Sequence, residues 1–250
     1  MTNLKKSLGF SLSLLPIAII GGIFVTLYQI ELYPAEMFEP VIDQLGSIEL
    51  LVLITAAQAA LYALFCGFAG YLLSNKIGLW KPFTLSKQSL TVTVLLSVGM
   101  GTLFSLDYWT FGAEIPMIQD SAAAGMTVSG VIASVLYGGV IEEVMLRLFF
   151  LSLAAFLLWK IFFRKREVLT DGIFWIANIL AALLFAAGHL PATMVTFGAL
   201  TPLLVFRCLL LNGGFALGFG WLYKKYGIGF AMLSHAMVHI VSKLIWWIFI

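Results

Sequence analysis

The sequence predicts an all-α fold, a polytopic transmembrane bundle of about seven to eight helices. Of its 250 residues, 62% are hydrophobic and only 10% are Asp, Glu, Lys or Arg, whereas soluble domains carry about 25% charged residues. Several apolar runs also reach the roughly 20 residues that an α-helix needs to cross a bilayer. These runs show no alternation of polar and apolar residues, so a membrane β-barrel is disfavoured.

The predicted spans follow one another along the whole chain. The first run extends from Ser7 to Ile30 without a charge. It is longer than the roughly 7–15 apolar residues of a signal peptide, so it is interpreted as a retained span. The region from Ser121 to Trp159 is long enough for one bent helix or for two. In chain order, the predicted spans lie near residues 7–30, 50–75, 88–106, 121–159, 172–190, 196–223 and 228–250.

Basic residues occur in alternate connections between the predicted spans. The intervening connections lack Lys and Arg, and the first two of them carry acidic residues. Because connections rich in Lys and Arg stay on the cytoplasmic side, the N-terminus is predicted to be cytoplasmic. The basic residues of these connections are Lys5, Lys6, Lys76, Lys81, Lys87, Lys160, Arg164, Lys165, Arg166, Lys224 and Lys225.

The chain is predicted to be one integral membrane domain over residues 1–250, because no repeat, linker or low-complexity segment divides it. Nucleic acid is excluded as a partner, since the net charge is only +2 and no basic cluster alternates with aromatic residues. The lipid bilayer is the partner that this composition requires. Cys66 and Cys208 lie in apolar runs without a CxxC spacing and are expected to be buried free thiols.

A few ionisable residues lie inside the apolar runs, where each charge costs about 2.5–3.5 kcal/mol to insert. Such residues are functional candidates by default, and all three histidines of the protein are among them. For Arg207 and Lys243, a structural role or snorkelling to the interface is the simpler interpretation. The full set is Glu142, Glu143, Arg147, His189, Arg207, His235, His239 and Lys243.

The stretch GGVIEEVMLRLF, residues 138–149, places two adjacent glutamates and an arginine in one apolar run. Glu143 and Arg147 are four residues apart, so they share a helix face and are expected to form an ion pair. Glu142 points about 100° away and has no basic partner within its own helix. The pair is interpreted as structural or as part of a site, whereas Glu142 is the candidate general base.

The histidines also recur at helical spacing. FAAGH ends on His189, and in HAMVH four residues separate His235 from His239. Two histidines four apart on a helix can bind one zinc ion, but Ala236 follows His235 where soluble zinc proteases have a glutamate. A carboxylate would then come from another helix, and Glu142 is the candidate. The structural alternative is that each histidine only hydrogen-bonds to a neighbouring helix.

Three motifs match a known family in the right order. EEVMLR has the form EExxxR, FAAGH the form FxxxH, and HAMVH the form HxxxB. With them the chain resembles the CPBP intramembrane proteases, the family of CAAX proteases and bacteriocin-processing (Abi) proteins that includes the type II CAAX prenyl endopeptidases. The resemblance covers residues 120–245 as a catalytic core, while residues 1–119 carry only span-like sequence.

The resemblance implies a catalytic site and a mechanism. Glu142 and His189 would activate a water that attacks a peptide carbonyl. His235 and His239 would face the oxyanion, although His239 stands where prenyl proteases commonly have asparagine. The catalytic residues that the motifs imply are Glu142, Glu143, Arg147, His189, His235 and His239.

The cofactor stays open at this point. A zinc ion held by Glu142, His189 and His235, with water in the fourth position, is one alternative. A metal-free site is the other. His239 is one more candidate ligand than an asparagine-bearing relative would have.

The depth of the histidines conflicts with the predicted spans. His189 lies near the outer end of its span, whereas His235 lies about two turns from the inner end of its own. Residues that share a site must share a depth. Either the predicted boundaries are wrong, or Pro191 ends a helix inside a cavity.

The first functional hypothesis is an intramembrane endopeptidase of the bacterial plasma membrane that hydrolyses a peptide or protein substrate within or at the membrane. The resemblance implies CAAX-like processing, bacteriocin maturation or self-immunity, and no residue is seen that would recognise a prenyl group. A second hypothesis is a non-catalytic scaffold or immunity protein of the same fold. A proton- or ion-coupled transporter is the third, disfavoured because the sequence has no internal repeat.

Overall fold

The computed structural model describes residues 2–162 and 168–250. These residues form helices joined by short connections, with no β-strand among them. The prediction of an all-α fold is therefore confirmed. Arg164, Lys165 and Arg166, which contributed to the predicted orientation, lie outside the described residues.

Seven helical segments of the described chain are long and apolar enough to cross a membrane. In chain order they are span 1 (Asn3–Leu32), span 2 (Ile48–Lys76), span 3 (Lys87–Glu114), span 4 (Val128–Phe162), span 5 (Asp171–Phe197), span 6 (Pro202–Tyr226) and span 7 (Ile228–Phe249). Residues 121–159 belong to two elements. A short helix, Met117–Ala124, precedes span 4, and the Thr127 side chain caps the start of span 4 by accepting from the Gly130 amide.

Span 5 is longer than predicted, and the predicted end near residue 190 is wrong. The helix continues through Pro191 to Phe197, where Gly198 ends it with φ 71°. Proline removes one backbone N–H, but helices packed within a membrane tolerate that loss. His189 therefore lies about 12 Å of helix before the end of the span rather than at the end.

Two spans change their hydrogen-bonding pattern around the candidate residues. Span 4 is π-helical, with i→i+5 bonding, over Ala133–Glu142 and Val144–Leu151, and span 6 is π-helical over Leu209–Gly214. Turns of this kind are rare and occur frequently at functional sites. The α-helical angle of about 100° per residue therefore does not apply strictly to Glu142 and Glu143.

Span 7 carries two of the three histidines and packs along span 3. Ser97 in span 3 donates its hydroxyl to Ser234 in span 7 at 2.9 Å, and both side chains are fully buried. Further along the two helices, the Trp246 indole donates to the Ser105 carbonyl oxygen at 2.9 Å. Small residues let membrane helices approach closely enough for such bonds to form. Span 3 thus fixes the position of span 7.

Span 4 is held by spans 2 and 6 just beyond the EExxxR motif. A Cβ atom at Gly70 in span 2 would lie 2.9 Å from the backbone of Leu148, so the two helices touch there. On the other side, the hydroxyls of Ser152 in span 4 and Tyr223 in span 6 share a hydrogen bond at 2.8 Å. These contacts are buried and give span 4 a fixed place in the bundle.

Gly101→Ala is expected to weaken the contact between spans 3 and 7. A Cβ atom there would lie 2.7 Å from Val241 Cβ and 3.0 Å from the Val238 carbonyl oxygen. Overpacking of this kind costs about 1–3 kcal/mol, so the thermal denaturation midpoint of the purified protein in detergent should fall. Gly99→Ala on the same helix is the control, because a Cβ there meets nothing within 4 Å. Equal midpoints for the two variants would contradict this packing.

Candidate active site

One cavity of about 870 Å³ lies within the bundle and is lined by residues from all seven spans. Glu142 in span 4, His189 in span 5, and His235 and His239 in span 7 all line it. Glu143 does not, because its side chain is fully buried with 0% exposure. The four residues to which the motifs assign the reaction therefore share one cavity, and the two adjacent glutamates have different surroundings.

Glu143 joins two partners in the buried interior. Its Oε1 atom lies 3.1 Å from Arg147 Nη1 and 2.8 Å from His235 Nδ1. A carboxylate only accepts hydrogen bonds, so His235 donates from Nδ1. The ion pair expected from the sequence spacing is present. From the sequence, Glu142 was expected to be the partner of the histidines. For His235 this is wrong, because its Nδ1 atom is hydrogen-bonded to Glu143.

Arg147 is enclosed by aromatic rings. Its guanidinium carbon lies 4.5 Å from the centre of the Phe185 ring and 5.5 Å from that of Phe219, and the side chain is 1% exposed. A desolvated cation over an aromatic face gains about 2 kcal/mol or more. The arginine of EExxxR thus contacts the phenylalanine of FxxxH, which brings spans 4 and 5 together at the site.

Three ring contacts hold His235 in place and bring three spans to one depth. The Phe219 ring stacks on His235 with centroids 4.6 Å apart, and His239 stacks on it at 5.1 Å. Phe185 meets His235 edge to face at 5.9 Å. The depths counted along the predicted spans did not allow these contacts, which place Phe185, one turn before His189, beside His235. Nothing in the sequence marked Phe219, since it is one of many aromatic residues in an apolar run.

A hydrogen bond made by His189 Nδ1 determines which ring nitrogen carries the proton. Nδ1 lies 2.8 Å from the Phe185 carbonyl oxygen. Since a carbonyl oxygen only accepts, Nδ1 carries the proton and donates it. In the neutral ring, Nε2 is then an unprotonated acceptor. His189 can therefore accept a hydrogen bond from a water in the cavity.

Glu142 and His239 meet beside Gly138. A Cβ atom on this glycine would lie 3.4 Å from His239 Nε2 and 3.9 Å from Glu142 Oε2. Both polar atoms thus face the same small space in the cavity wall. Among residues 2–162 and 168–250, no group forms a hydrogen bond or ion pair with Glu142. Its carboxylate is therefore open to whatever the cavity holds.

A second ion pair lines the cavity and was not expected from the sequence. Arg207 donates from Nε to Asp107 Oδ1 at 2.8 Å and from Nη2 to Oδ2 at 2.5 Å, in a bidentate contact with a carboxylate that is 2% exposed. Arg207 therefore does not snorkel, because Asp107 at the end of span 3 binds it across the wall. Lys243 also lines the cavity and donates to the Gly125 carbonyl oxygen. Both contacts join residues far apart in sequence, so no spacing signals them.

The predicted zinc ligands do not form a ligand set in the structure. Among the described residues, no group of three or more His, Cys, Asp or Glu side chains is arranged to hold one ion. This includes Glu142, His189 and His235, although they line one cavity. Zinc at these residues therefore stays a prediction, and the mechanism assigns no step to a metal.

A family model matches the part of the chain that carries the site. Residues 124–241 match the model described as type II CAAX prenyl endopeptidase Rce1-like. The matched segment contains all three motifs and every candidate catalytic residue. No curated protein and no solved structure matches the chain.

The adjacent glutamates are expected to differ in their effect on stability. Glu143→Ala leaves the buried Arg147 without its charged partner, a loss that costs about 3–5 kcal/mol. Its thermal midpoint in detergent should fall sharply, or the protein should fail to fold. Glu142→Ala removes a side chain that faces the cavity, so its midpoint should stay close to that of the wild type. If both variants lost the same stability, the assignment of separate roles would be wrong.

Proposed function

Because residues 124–241 match the Rce1-like type II CAAX prenyl endopeptidases, we propose that the chain belongs to this family and is an intramembrane endopeptidase in which Glu142 and His189 activate a water. The family supports endopeptidase activity in a membrane. The roles of the individual residues rest on the cavity. The observation that carries them is the separation of the glutamates, because Glu142 lines the cavity with the three histidines and Glu143 is buried behind it.

In the proposed mechanism, two acceptors hold the water. The water donates one hydrogen bond to the Glu142 carboxylate and a second to His189 Nε2. His189 Nδ1 meanwhile donates to the Phe185 carbonyl oxygen. A water that donates both protons presents an oxygen lone pair to the peptide carbonyl carbon. As the water attacks, Glu142 takes the proton as general base. It then passes that proton to the leaving amine as the peptide bond breaks.

His235 and His239 are proposed to face the negative charge that develops on the carbonyl oxygen. Donors fixed in place before the reaction stabilise such a charge at no cost of reorganisation. The His235 ring is held by Glu143 and by stacking against Phe219. Because Nδ1 donates to Glu143, His235 can donate to the oxyanion from Nε2 only as the imidazolium, with both ring nitrogens protonated. Glu143 and Arg147 are therefore positioning residues, which act through His235 and through the packing of span 4.

The proposed substrate is a peptide segment of a membrane-associated or exported protein. CAAX-like processing, bacteriocin maturation and self-immunity are the candidate roles. His239 replaces the asparagine common in prenyl proteases, so CAAX peptides are the weaker candidate. We also propose a cytoplasmic N-terminus, in a bacterial plasma membrane, from the alternation of basic connections.

Glu142→Gln and His189→Ala are expected to abolish peptide cleavage without unfolding the protein. Loss of a general base costs about 10²–10⁴-fold in rate. Purified variants would be incubated with a mixture of membrane-protein peptides, and new termini would be identified by mass spectrometry. Thermal midpoints near that of the wild type are the control for folding. Undiminished cleavage by Glu142→Gln would contradict the mechanism, and a wild type that cleaves nothing would favour a non-catalytic scaffold or a transporter.

His239 is expected to act through a donated hydrogen bond. His239→Ala should lower kcat about 10²–10³-fold, the usual effect of removing one oxyanion donor. His239→Asn should keep much of the activity, because its amide also donates. The measurement is kcat and KM for one cleaved peptide. Equal activity of the alanine and asparagine variants would show that the side chain does not act as a donor.

Removal of metal is expected to leave cleavage unchanged, because in the proposed mechanism Glu142 and His189 alone hold the water. Protein treated with a chelator should keep its rate, and metal analysis should find much less than stoichiometric zinc. The opposite result is stoichiometric zinc whose removal stops cleavage and whose return restores it. That result would establish the zinc set of Glu142, His189 and His235.

A further inference from the structure

The active-site cavity lies toward one end of the bundle. Tyr28 near the end of span 1, Thr55 in the first turns of span 2 and Asp107 near the end of span 3 all line it. Because consecutive spans run in opposite directions, these positions lie near the same membrane face. Ser121, in the short helix between spans 3 and 4, completes the wall there. We name this end the cavity face.

The cavity face is formed by the connections 33–47, 115–127 and 198–201. All three of these connections contribute residues to the cavity or to its continuation. At the other end of the bundle, no residue of the connection 77–86 lines the cavity. Among the described residues, the lining of the cavity thus reaches the connections of the cavity face but not the connection 77–86 at the opposite end.

The groups that hold the water are closer to the cavity face than to the opposite face. His189 precedes the end of span 5 by about 12 Å of helix and follows its start by about 27 Å. Glu142 follows the start of span 4 by about 21 Å and precedes its end by about 30 Å. His235, about 10 Å into span 7 from the opposite face, forms the deep end of the cavity.

A smaller cavity of about 550 Å³ continues the first one at the cavity face. The two share Tyr33 and Ser121 in their linings. Met37 and Phe197 line the smaller cavity, and the Tyr33 and Thr196 hydroxyls share a hydrogen bond at 2.9 Å beside it. The two cavities therefore adjoin at Tyr33 and Ser121, and the smaller one extends the first toward this face.

The two faces differ in charge. No Lys or Arg occurs in the connections 33–47, 115–127 and 198–201. The acidic residues in or beside these connections are Glu31, Glu36, Glu39, Asp43, Glu49, Asp107, Glu114 and Asp120. At the opposite face, the described chain start, connections and span ends carry Lys5, Lys6, Lys76, Lys81, Lys87, Lys160, Lys224 and Lys225. In the sequence, Arg164, Lys165 and Arg166 also stand between spans 4 and 5.

We propose that the substrate reaches Glu142 from the extracytoplasmic side of the membrane. The positive-inside rule places the basic face in the cytoplasm, so the cavity face lies outside. The substrates are then peptide segments exposed beyond the cytoplasm, such as exported chains and outer loops of membrane proteins, and not cytoplasmic chain termini. That these segments are cleaved rests on the proposed endopeptidase function, whereas the direction of access rests only on the cavity and the charges.

Labelling of introduced single cysteines in intact cells tests from which side of the membrane the cavity is reached. Ser121→Cys reports the cavity, Glu36→Cys reports the exposed connection on the cavity face, and Thr84→Cys reports the exposed connection on the basic face. The wild type is the blank, because Cys66 and Cys208 are both buried. The probe is a membrane-impermeant maleimide, applied to intact cells that produce the full chain and again after permeabilisation.

We expect full labelling of Ser121→Cys and Glu36→Cys in intact cells, and labelling of Thr84→Cys only after permeabilisation. Labelling of Thr84→Cys in intact cells would overturn the orientation. A Ser121→Cys variant that stays unlabelled while Glu36→Cys reacts would overturn the opening of the cavity. The labelling needs no cleavage, so the direction of access stands or falls independently of the loss of activity expected for Glu142→Gln.

Discussion

The buried contact of Glu143 with Arg147 and His235 is the interaction on which the site depends. Bringing two charges into an apolar interior costs several kcal/mol per ion, so the pair persists only with close partners. Here the carboxylate lies 3.1 Å from the guanidinium and 2.8 Å from the imidazole. The contact ties span 4 to span 7, fixes the ring of His235, and leaves the neighbouring Glu142 facing the cavity.

Aromatic packing completes this arrangement. Phe185 and Phe219 both lie against the Arg147 guanidinium, and both also contact the ring of His235. A substitution at either phenylalanine would therefore disturb both the Arg147 guanidinium and the ring of His235. The three sequence motifs are thus parts of one contact cluster, in which apolar side chains fix the geometry of the polar residues proposed to carry the chemistry.

Local features could be predicted from the sequence, and long-range ones could not. The spans and the ion pair of Glu143 with Arg147 follow from hydropathy and helical spacing, which are local properties. The bond of His235 to Glu143 and the pairing of Arg207 with Asp107 join distant helices, so no spacing reveals them. The end of span 5 was missed because packed membrane helices tolerate a proline such as Pro191.

In the proposed mechanism, Glu142 activates a water and does not itself attack the peptide. A single turnover in isotopically labelled water, with enzyme in excess over a cleaved peptide, distinguishes these two roles of the side chain. Heavy oxygen is expected in the new carboxyl terminus of the product and none in the Glu142 carboxylate. Heavy oxygen in Glu142 after that turnover would show that the side chain formed a bond to the substrate, and that Glu142 is not only a general base.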